Sequence, residues 1–147
     1  MLTATGLAKQ LDEMIKATTR GNLDWRMTIE STDDLEPELK EKFTADDGIE
    51  YLVDECFVEY TCKYNHKDFT MISYEHVLTH EDTTRMTCLI FLPPLGMRFF
   101  DVNQLAPYAV KADAIVSNKV HVLWETLMAL YKETPSRIEL RVIDPLK

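Results

Sequence analysis

The N-terminal segment of the chain carries apolar residues at the spacing of an α-helix. One face of this helix is expected to consist of Leu7, Leu11, Met14 and Ile15. Gly21 follows at the position where helices often end in a left-handed residue. The pattern predicts a first helix from about Thr5 to Arg20.

A second helical pattern lies near the C-terminus. Its apolar face comprises Val116, Val120, Leu123, Leu127 and either Leu130 or Tyr131. Pro135 marks its end, because proline cannot continue a hydrogen-bonded helix. We expect a long helix that begins at Asp113 or Ser117 and ends near Lys132, with Leu123 and Leu127 facing a sheet.

Between the two helices, apolar and polar residues alternate with the period of two that is typical of half-buried strands. Leu23–Ile29 predicts a short first strand. The clearest signal is a hairpin, in which Cys56–Tyr64 leads into a turn at Asn65–Asp68 and Phe69–Leu78 returns. The acidic stretch Glu30–Asp47 predicts a short helix or an ordered loop.

Three further strands are expected. Met86–Leu92 is continuously apolar, which predicts a central strand covered on both faces. The turn at Pro93–Gly96 allows Met97–Val102 to pair back. After the second helix, Ile138–Val142 alternates as a terminal strand.

The order of these elements favours the α+β class. Strands that follow one another in sequence, with helices at the two ends, predict an antiparallel meander sheet of four to six strands. The N-terminal helix and the long C-terminal helix would pack on it, giving two layers. The chain has 147 residues and no internal repeat or linker, so residues 1–147 are expected to form a single domain.

The charge is concentrated in one part of the chain. The formal net charge is −9, which disfavours direct nucleic-acid binding through phosphate neutralisation. Between Thr28 and Glu59, twelve acidic residues and two lysines give a balance of −10, while the rest of the chain sums to +1. We call Thr28–Glu59 the acidic segment.

The sequence predicts a cytoplasmic protein without membrane attachment. No apolar run approaches the ~20 residues that a membrane-spanning helix needs, and Met1–Ile15 lacks the basic start and apolar block of a secretion signal. The three cysteines, Cys56, Cys62 and Cys88, lie in strand-like apolar surroundings and cannot all pair within one chain. We expect them to be reduced, and Cys88 to be buried and unreactive.

The sequence offers no clear catalytic signature. The four glycines are isolated at positions 6, 21, 48 and 96, so no glycine-rich phosphate loop is present. His76 and His80 lie four residues apart, which places them roughly 13 Å apart on an extended strand and disfavours a shared zinc ion. We therefore expect no cofactor and no metal, and enzymatic activity is left open but disfavoured.

The acidic segment carries the leading functional hypothesis, which is a non-enzymatic intracellular binding protein. An inhibitor, an immunity protein or an accessory factor of a bacterium or phage would fit. It would dock a protein partner, for which a basic surface would be the electrostatic complement. The candidate residues are Asp33, Asp34, Glu36, Glu38, Asp46 and Asp47. A solvated surface that only favours solubility is the competing interpretation, and a homo-oligomer stays open.

The alternative hypothesis is a small-ligand-binding protein or a modest enzyme. Its pocket would lie between the sheet and the C-terminal helix. The candidate lining residues are Trp25, Tyr60, Tyr64, Tyr74 and Trp124. Ordinary core packing of these aromatic side chains is the competing interpretation.

Two short segments carry a resemblance. In the first, Leu11–Trp25, a helix ends in Thr-Thr-Arg-Gly-Asn-Leu-Asp-Trp; in the second, Tyr60–Ile72, a tyrosine-rich strand turns at Asn65–Lys67. Both resemble segments of small uncharacterised bacterial and mobile-element proteins, which similarly continue into a meander and an amphipathic C-terminal helix. The resemblance implies an α+β fold and no particular activity, and the acidic segment departs from it.

Overall fold

The structure is a computed structural model that describes residues 4–32, 37–46, 48–81, 87–101, 106–107, 114–134 and 138–143. In these ranges the helices are α1 (Ala4–Thr19) and α2 (Ala114–Glu133), with a short 3-10 helix at Pro37–Leu39. The strands are β1 (Trp25–Ser31), β2 (Glu41–Thr44), β3 (Glu50–Tyr64), β4 (Lys67–Glu81), β5 (Thr87–Phe91), β6 (Gly96–Asp101), β7 (Ala106–Pro107) and β8 (Ile138–Ile143). No helix in this part of the chain combines the length and apolarity needed to cross a membrane.

The two longest strands, β3 and β4, form the hairpin that the sequence predicts. Each has 15 residues, and antiparallel pairing continues from Leu52 to Tyr64 without a break. Asn65 and His66 make the turn with φ values of 50° and 64°. Two successive left-handed residues give a two-residue turn whose twist matches that of the strands it joins. The predicted turn is confirmed and is tighter than the expected Asn65–Asp68.

Six strands lie side by side in the order β7-β6-β4-β3-β1-β8, while β2 pairs with β3 and β5 pairs with β4. The α+β class is confirmed, but two finer predictions are wrong. The described strands outnumber the expected four to six, and the sheet is mixed because β8 runs parallel to β1. A parallel pair needs a long crossover. Here α2 provides it, since the chain enters α2 after β7 at one edge of the sheet and emerges into β8 at the opposite edge.

The apolar segment Met86–Leu92 is not the central strand, contrary to the prediction. Among the described strands, β5 pairs only with β4, at the end of the hairpin farthest from its turn. Ile90 is 41% exposed, so continuous apolarity here does not mean cover on both faces. The side chain of Cys88 lies outside the described residues, and its burial stays a prediction.

Both helices cover the same face of the sheet. Their buried residues include Leu7, Leu11, Met14, Val116, Val120, Leu123 and Leu127. The strands contribute Trp25, Met27, Val58, Tyr60, Phe69, Met71 and Phe99 to the same core. The end of α1 is fixed to β1 by a hydrogen bond of 2.9 Å from Trp25 Nε1 to Thr18 Oγ1. The expected two-layer packing of a sheet against the N-terminal and C-terminal helices is therefore present.

The opposite face of the sheet is not covered by these helices, and we call it the open face. Paired residues of neighbouring strands point to the same side of a sheet. In β1, residues that point into the core alternate with exposed residues such as Arg26 and Glu30. On β3, Phe57 pairs with Glu30 of β1 and Tyr74 of β4, and Phe57 is 49% exposed. The open face thus presents aromatic and charged side chains together.

Leu127 provides the test of how α2 packs. Leu123 and Leu127 are both fully buried, as the sequence predicts. Leu127→Ala should lower the free energy of unfolding by about 2–5 kcal/mol, because it removes buried methyl groups and leaves a cavity. Urea-induced unfolding measures this change. Thr126→Ala, which alters the adjacent half-buried residue, serves as the control, and equal effects of the two variants would show that the buried face of α2 is assigned incorrectly.

Candidate functional site

A buried carboxylate lies at the centre of the interface between the sheet and α2. Glu75 of β4 is fully buried. Its Oε2 accepts hydrogen bonds from Tyr60 OH at 2.6 Å and from Ser73 Oγ. Its Oε1 accepts a hydrogen bond of 3.2 Å from Trp124 Nε1, which also approaches Tyr60 OH at 3.1 Å. We call Tyr60, Ser73, Glu75 and Trp124 the buried polar cluster.

The local fold explains why these four side chains meet. Residues 73 and 75 are two apart on β4 and therefore point to the same face. Tyr60 lies on β3, whose even-numbered residues from Cys56 to Cys62 also point into the core. Trp124 extends from the buried face of α2. Since all buried side-chain polar atoms in the described residues have hydrogen-bond partners, the cluster joins three elements without an unsatisfied group.

Burial dominates the electrostatics of the cluster. It raises the pKa of Glu75 above its ordinary value, although the hydrogen bonds from Ser73, Tyr60 and Trp124 act in the opposite direction. Burial, followed by the charge of Glu75, also holds the pKa of Tyr60 well above its usual range. Tyr60 therefore keeps its phenolic proton at neutral pH and donates it to the carboxylate.

The five aromatic residues of the predicted pocket do not share one location. Tyr60 and Trp124 meet in the buried polar cluster. Trp25 is buried beside the end of α1, and Tyr64 donates a hydrogen bond of 2.8 Å to Glu13 Oε2 on α1. Tyr74 lies on the open face, with its ring centroid 5.4 Å from that of Phe57. The sheet separates Tyr74 from the other four.

A shallow cleft opens near Trp25 at the turn end of the hairpin. It has a volume of about 360 Å³, and its lining includes Cys62 together with Arg26, Lys63, Asp68 and Glu139. Burial, together with the charge of Asp68, raises the pKa of the Cys62 thiol to about 12. A thiol of that pKa is protonated at neutral pH and does not act as a nucleophile.

The predicted acidic surface is described only in part. Asp33, Asp34, Glu36 and Asp47 lie outside the described residues. Glu38 belongs to the 3-10 helix and Asp46 follows β2, and both are exposed.

Apolar side chains are exposed within the same segment. All four residues of β2 are exposed, including Phe43 at 50%, and Leu39 is 69% exposed. Exposed Leu39 and Phe43 therefore accompany Glu38, Glu41 and Asp46 along this part of the chain.

The two lysines of the acidic segment are paired with carboxylates. Lys40 Nζ contacts Asp54 Oδ1, and the side chains of both residues are largely buried. Lys42 Nζ lies 3.8 Å from Glu50 Oε1. Glu55 accepts a hydrogen bond of 2.7 Å from Tyr74 OH. Lys40 is thus turned toward β3, whereas Lys42 stays exposed beside Glu50. Glu38, Glu41 and Asp46 present negative charge to solvent.

The histidines predicted to lie on a strand do so. His76 and His80 are both on β4, and His76 Nε2 lies 3.5 Å from Glu55 Oε1. In the part of the chain that the structure describes, no group of three or more potential metal ligands is close enough to hold a metal ion.

Sequence reasoning missed Glu75 and the exposed pair Leu39 and Phe43. The sequence did carry a signal for Glu75. Phe69 and Met71 point into the core at alternate positions of their strand, and Glu75 lies four residues after Met71 on the same side. A carboxylate at such a position needs hydrogen-bond donors in the core. No comparable signal marks Leu39 and Phe43, because their spacing of four residues fits one face of the short helix expected in Glu30–Asp47 and says nothing about exposure.

Comparison with known protein families, with curated proteins and with solved structures finds no match to this chain. No residue role is transferred from another protein, and the resemblance carried by Leu11–Trp25 and Tyr60–Ile72 stays a prediction.

The raised pKa of Glu75 predicts how stability depends on pH. A carboxyl group whose pKa is higher in the folded state adds stability below its unfolded pKa, about 4.3, and this contribution disappears as the pH rises through the folded value. Glu75→Gln removes the titration while preserving the shape. The free energy of unfolding of the wild type, relative to that of the variant, should therefore fall as the pH rises from about 4.3 through the raised pKa of Glu75 in the folded state.

Urea-induced unfolding at several pH values measures this difference. The exposed carboxylate variant Glu59→Gln provides the matched control. If the wild type and Glu75→Gln gave parallel pH profiles, the environment assigned to Glu75 would be wrong.

Proposed function

We propose that this protein is a non-enzymatic binding protein that docks a basic protein partner through the acidic segment. The observation that carries the proposal is the exposure of Leu39 and Phe43 beside the exposed carboxylates Glu38, Glu41 and Asp46. Single exposed apolar residues are ordinary on a protein surface, but two large ones within five residues of each other, set among carboxylates, favour a docking surface over a purely solubilising one. Binding surfaces, in contrast, combine an apolar anchor with a charged rim.

The division of roles within this surface follows from its chemistry. Phe43 and Leu39 would bury apolar area against the partner and slow its dissociation. The carboxylates would attract a basic surface from a distance and accelerate encounter, an effect that salt weakens. Lys40 is largely buried against Asp54. Lys42 is exposed but lies beside the equally exposed Glu50, so the surface formed by Glu38, Glu41 and Asp46 keeps its negative charge. An inhibitor, an immunity protein or an accessory factor of a bacterium or phage would use such a surface.

The alternative proposal, a small-ligand-binding protein or modest enzyme, is favoured by the buried polar cluster. A carboxylate with a tyrosine and a tryptophan between sheet and helix is a set of groups that can orient a ligand, provided that the ligand replaces one of the hydrogen bonds that they make to each other. Ligand binding at this position would respond to Glu75→Gln and hardly to salt. Docking through the acidic segment would respond to salt and not to Glu75→Gln.

Charge reversal in the acidic segment tests the leading proposal. The partner is recovered by copurification from the native host and identified by mass spectrometry. The association rate is then measured for the wild type and for the double variant Glu38→Lys/Glu41→Lys, at low and at physiological salt. We expect the double variant to associate about tenfold more slowly at low salt, with a smaller difference at physiological salt, where the screening length is ~8 Å.

A matched control separates local charge from net charge. Glu125→Lys/Glu133→Lys makes the same charge change at exposed positions of α2 and should leave the association rate nearly unchanged. Phe43→Ser should instead accelerate dissociation. Equal rates for the wild type and Glu38→Lys/Glu41→Lys at both salt concentrations would rule the acidic segment out of binding.

A further inference from the structure

We propose that two copies of this chain associate edge to edge through β8, so that their sheets join into one continuous sheet. The two β8 strands would run antiparallel, and a two-fold axis perpendicular to the sheet would pass between the Leu140 residues of the two copies. Such a contact uses the same surface of both copies. β8 is not part of the acidic segment, so the proposal does not depend on a basic partner.

β8 forms an edge of the sheet that lacks the usual protection. Among the described strands it pairs only with β1, so the backbone groups along its other side face no strand that the structure describes. Proteins commonly protect such an edge with a proline, a lysine or a bulge. The opposite edge strand, β7, contains Pro107. β8 contains neither proline nor lysine, and its register with β1 runs from Ile138 to Ile143 without a bulge.

The side chains of β8 divide between the two faces of the sheet. Ile138 and Leu140 pack with the core on the face that the helices cover. Glu139 and Arg141 are exposed on the open face, where Glu139 pairs with Arg26 of β1. Residues that pair across strands lie on the same face. A second β8 strand therefore brings its own two charged residues to the open face.

The charges of β8 select one register for this pairing. With Leu140 opposite Leu140, each Glu139 pairs with Arg141 of the other copy, so the junction contains two pairs of opposite charge. The neighbouring registers, which shift one strand by two residues, place Glu139 opposite Glu139 or Arg141 opposite Arg141. Opposite charges stabilise a cross-strand pair, whereas like charges destabilise it. The order of residues in β8 is thus complementary to itself in a single antiparallel register.

The single chain leaves one of these charges unbalanced. Arg141 has no ion-pair partner among the described residues. Glu139 Oε2 lies 3.3 Å from Arg26 Nε in an exposed pair, and a carboxylate can accept hydrogen bonds from a second guanidinium. In the dimer, each Glu139 would lie between Arg26 of its own copy and Arg141 of the other. The dimer therefore supplies Arg141 with a counter-charge and leaves the existing ion pair in place.

The same register brings apolar side chains together on the other face. Leu140 is only partly buried in the single chain. Residues directly opposite each other in an antiparallel pair have Cβ atoms about 4.5–5.5 Å apart. The two Leu140 side chains would therefore cover each other at the axis and remove further apolar surface from water. Apolar contact and charge complementarity favour the same arrangement.

The length of the contact sets the concentration range of the experiment. Pairing from Ile138 to Val142 joins five residues of each copy, or about 17 Å of strand, and supplies about four to six backbone hydrogen bonds. At a sheet thickness of about 10 Å, the cross-section of this contact is on the order of 200 Å². A standard interface buries about 800 Å² per partner. We therefore expect a dimer that dissociates on dilution, with a dissociation constant on the order of 100 µM.

Sedimentation equilibrium tests the proposal on the full chain. Over about 10 µM to 1 mM, the mass of the wild type should rise from 17.1 kDa toward twice that value. Arg141→Glu should weaken the dimer about tenfold, because it places carboxylates opposite each other in both charged pairs. Arg98→Glu makes the same charge change at an exposed position of β6, away from this edge. It is the matched control and should leave the dissociation constant nearly unchanged.

Mixing two variants tests the register. Glu139→Arg should also weaken the dimer about tenfold, because it places guanidinium groups opposite each other. An equimolar mixture of Arg141→Glu and Glu139→Arg should recover the dimer, because each charged pair then again joins opposite signs. Circular dichroism verifies that each variant is folded.

Three results would each overturn the proposal. The first is a wild type that stays monomeric at every concentration. The second is a dimer whose dissociation constant does not respond to Arg141→Glu. The third is a mixture of Arg141→Glu and Glu139→Arg that associates no more strongly than either variant alone.

Discussion

The pairing of β3 with β4 is the interaction on which the rest of the structure depends. Thirteen consecutive residue pairs join these strands from Leu52 to Tyr64, and each of the other strands attaches to this hairpin directly or through a neighbour. Because successive side chains point to opposite faces, the hairpin contributes side chains to both faces of the sheet. Tyr60, Ser73 and Glu75 point toward the helices, while Phe57 and Tyr74 point away from them.

The buried polar cluster shows how the helix layer is positioned on this sheet. Apolar packing alone tolerates small shifts of a helix along its axis, because it has no preferred direction. The hydrogen bond from Trp124 Nε1 to Glu75 Oε1 requires one position of α2, since a displaced helix would leave a buried carboxylate oxygen with one partner fewer. Burying a carboxylate lowers stability unless its hydrogen bonds are complete. The cluster therefore restricts α2 to one position at some expense of stability.

Local signals predicted those parts of the fold that depend on neighbouring residues. The periodicity around Leu11 and Leu123 predicted both helices, and Asn65 with His66 predicted the hairpin turn. Long-range pairing was not predictable in this way. Nothing in the residues of β8 distinguishes a parallel partner from an antiparallel one, and the apolar run that contains β5 has the composition of a central strand although it lies beside the end of β4.

The candidate sites show the same difference between features that are local in sequence and features that depend on long-range contacts. The charge of the acidic segment is a property of composition and was visible in the sequence, while the exposure of Phe43 depends on where β2 attaches to β3. Glu75 was visible as an irregularity in an alternating strand, but its three donors come from residues 60, 73 and 124. The packing of α2 on the sheet decides that these donor side chains reach the carboxylate of Glu75.

The central claim is that the sheet built on the hairpin turns one face toward the helices and exposes Phe57 on the other, and hydroxyl-radical footprinting of three phenylalanines of the sheet tests it most directly. Phe57 is 49% exposed, whereas Phe69 and Phe99 are 2% and 0% exposed. We predict that Phe57 is oxidised far faster than Phe69 and Phe99, while unfolding in urea brings the three rates together. Equal protection of all three in the folded protein would contradict the account.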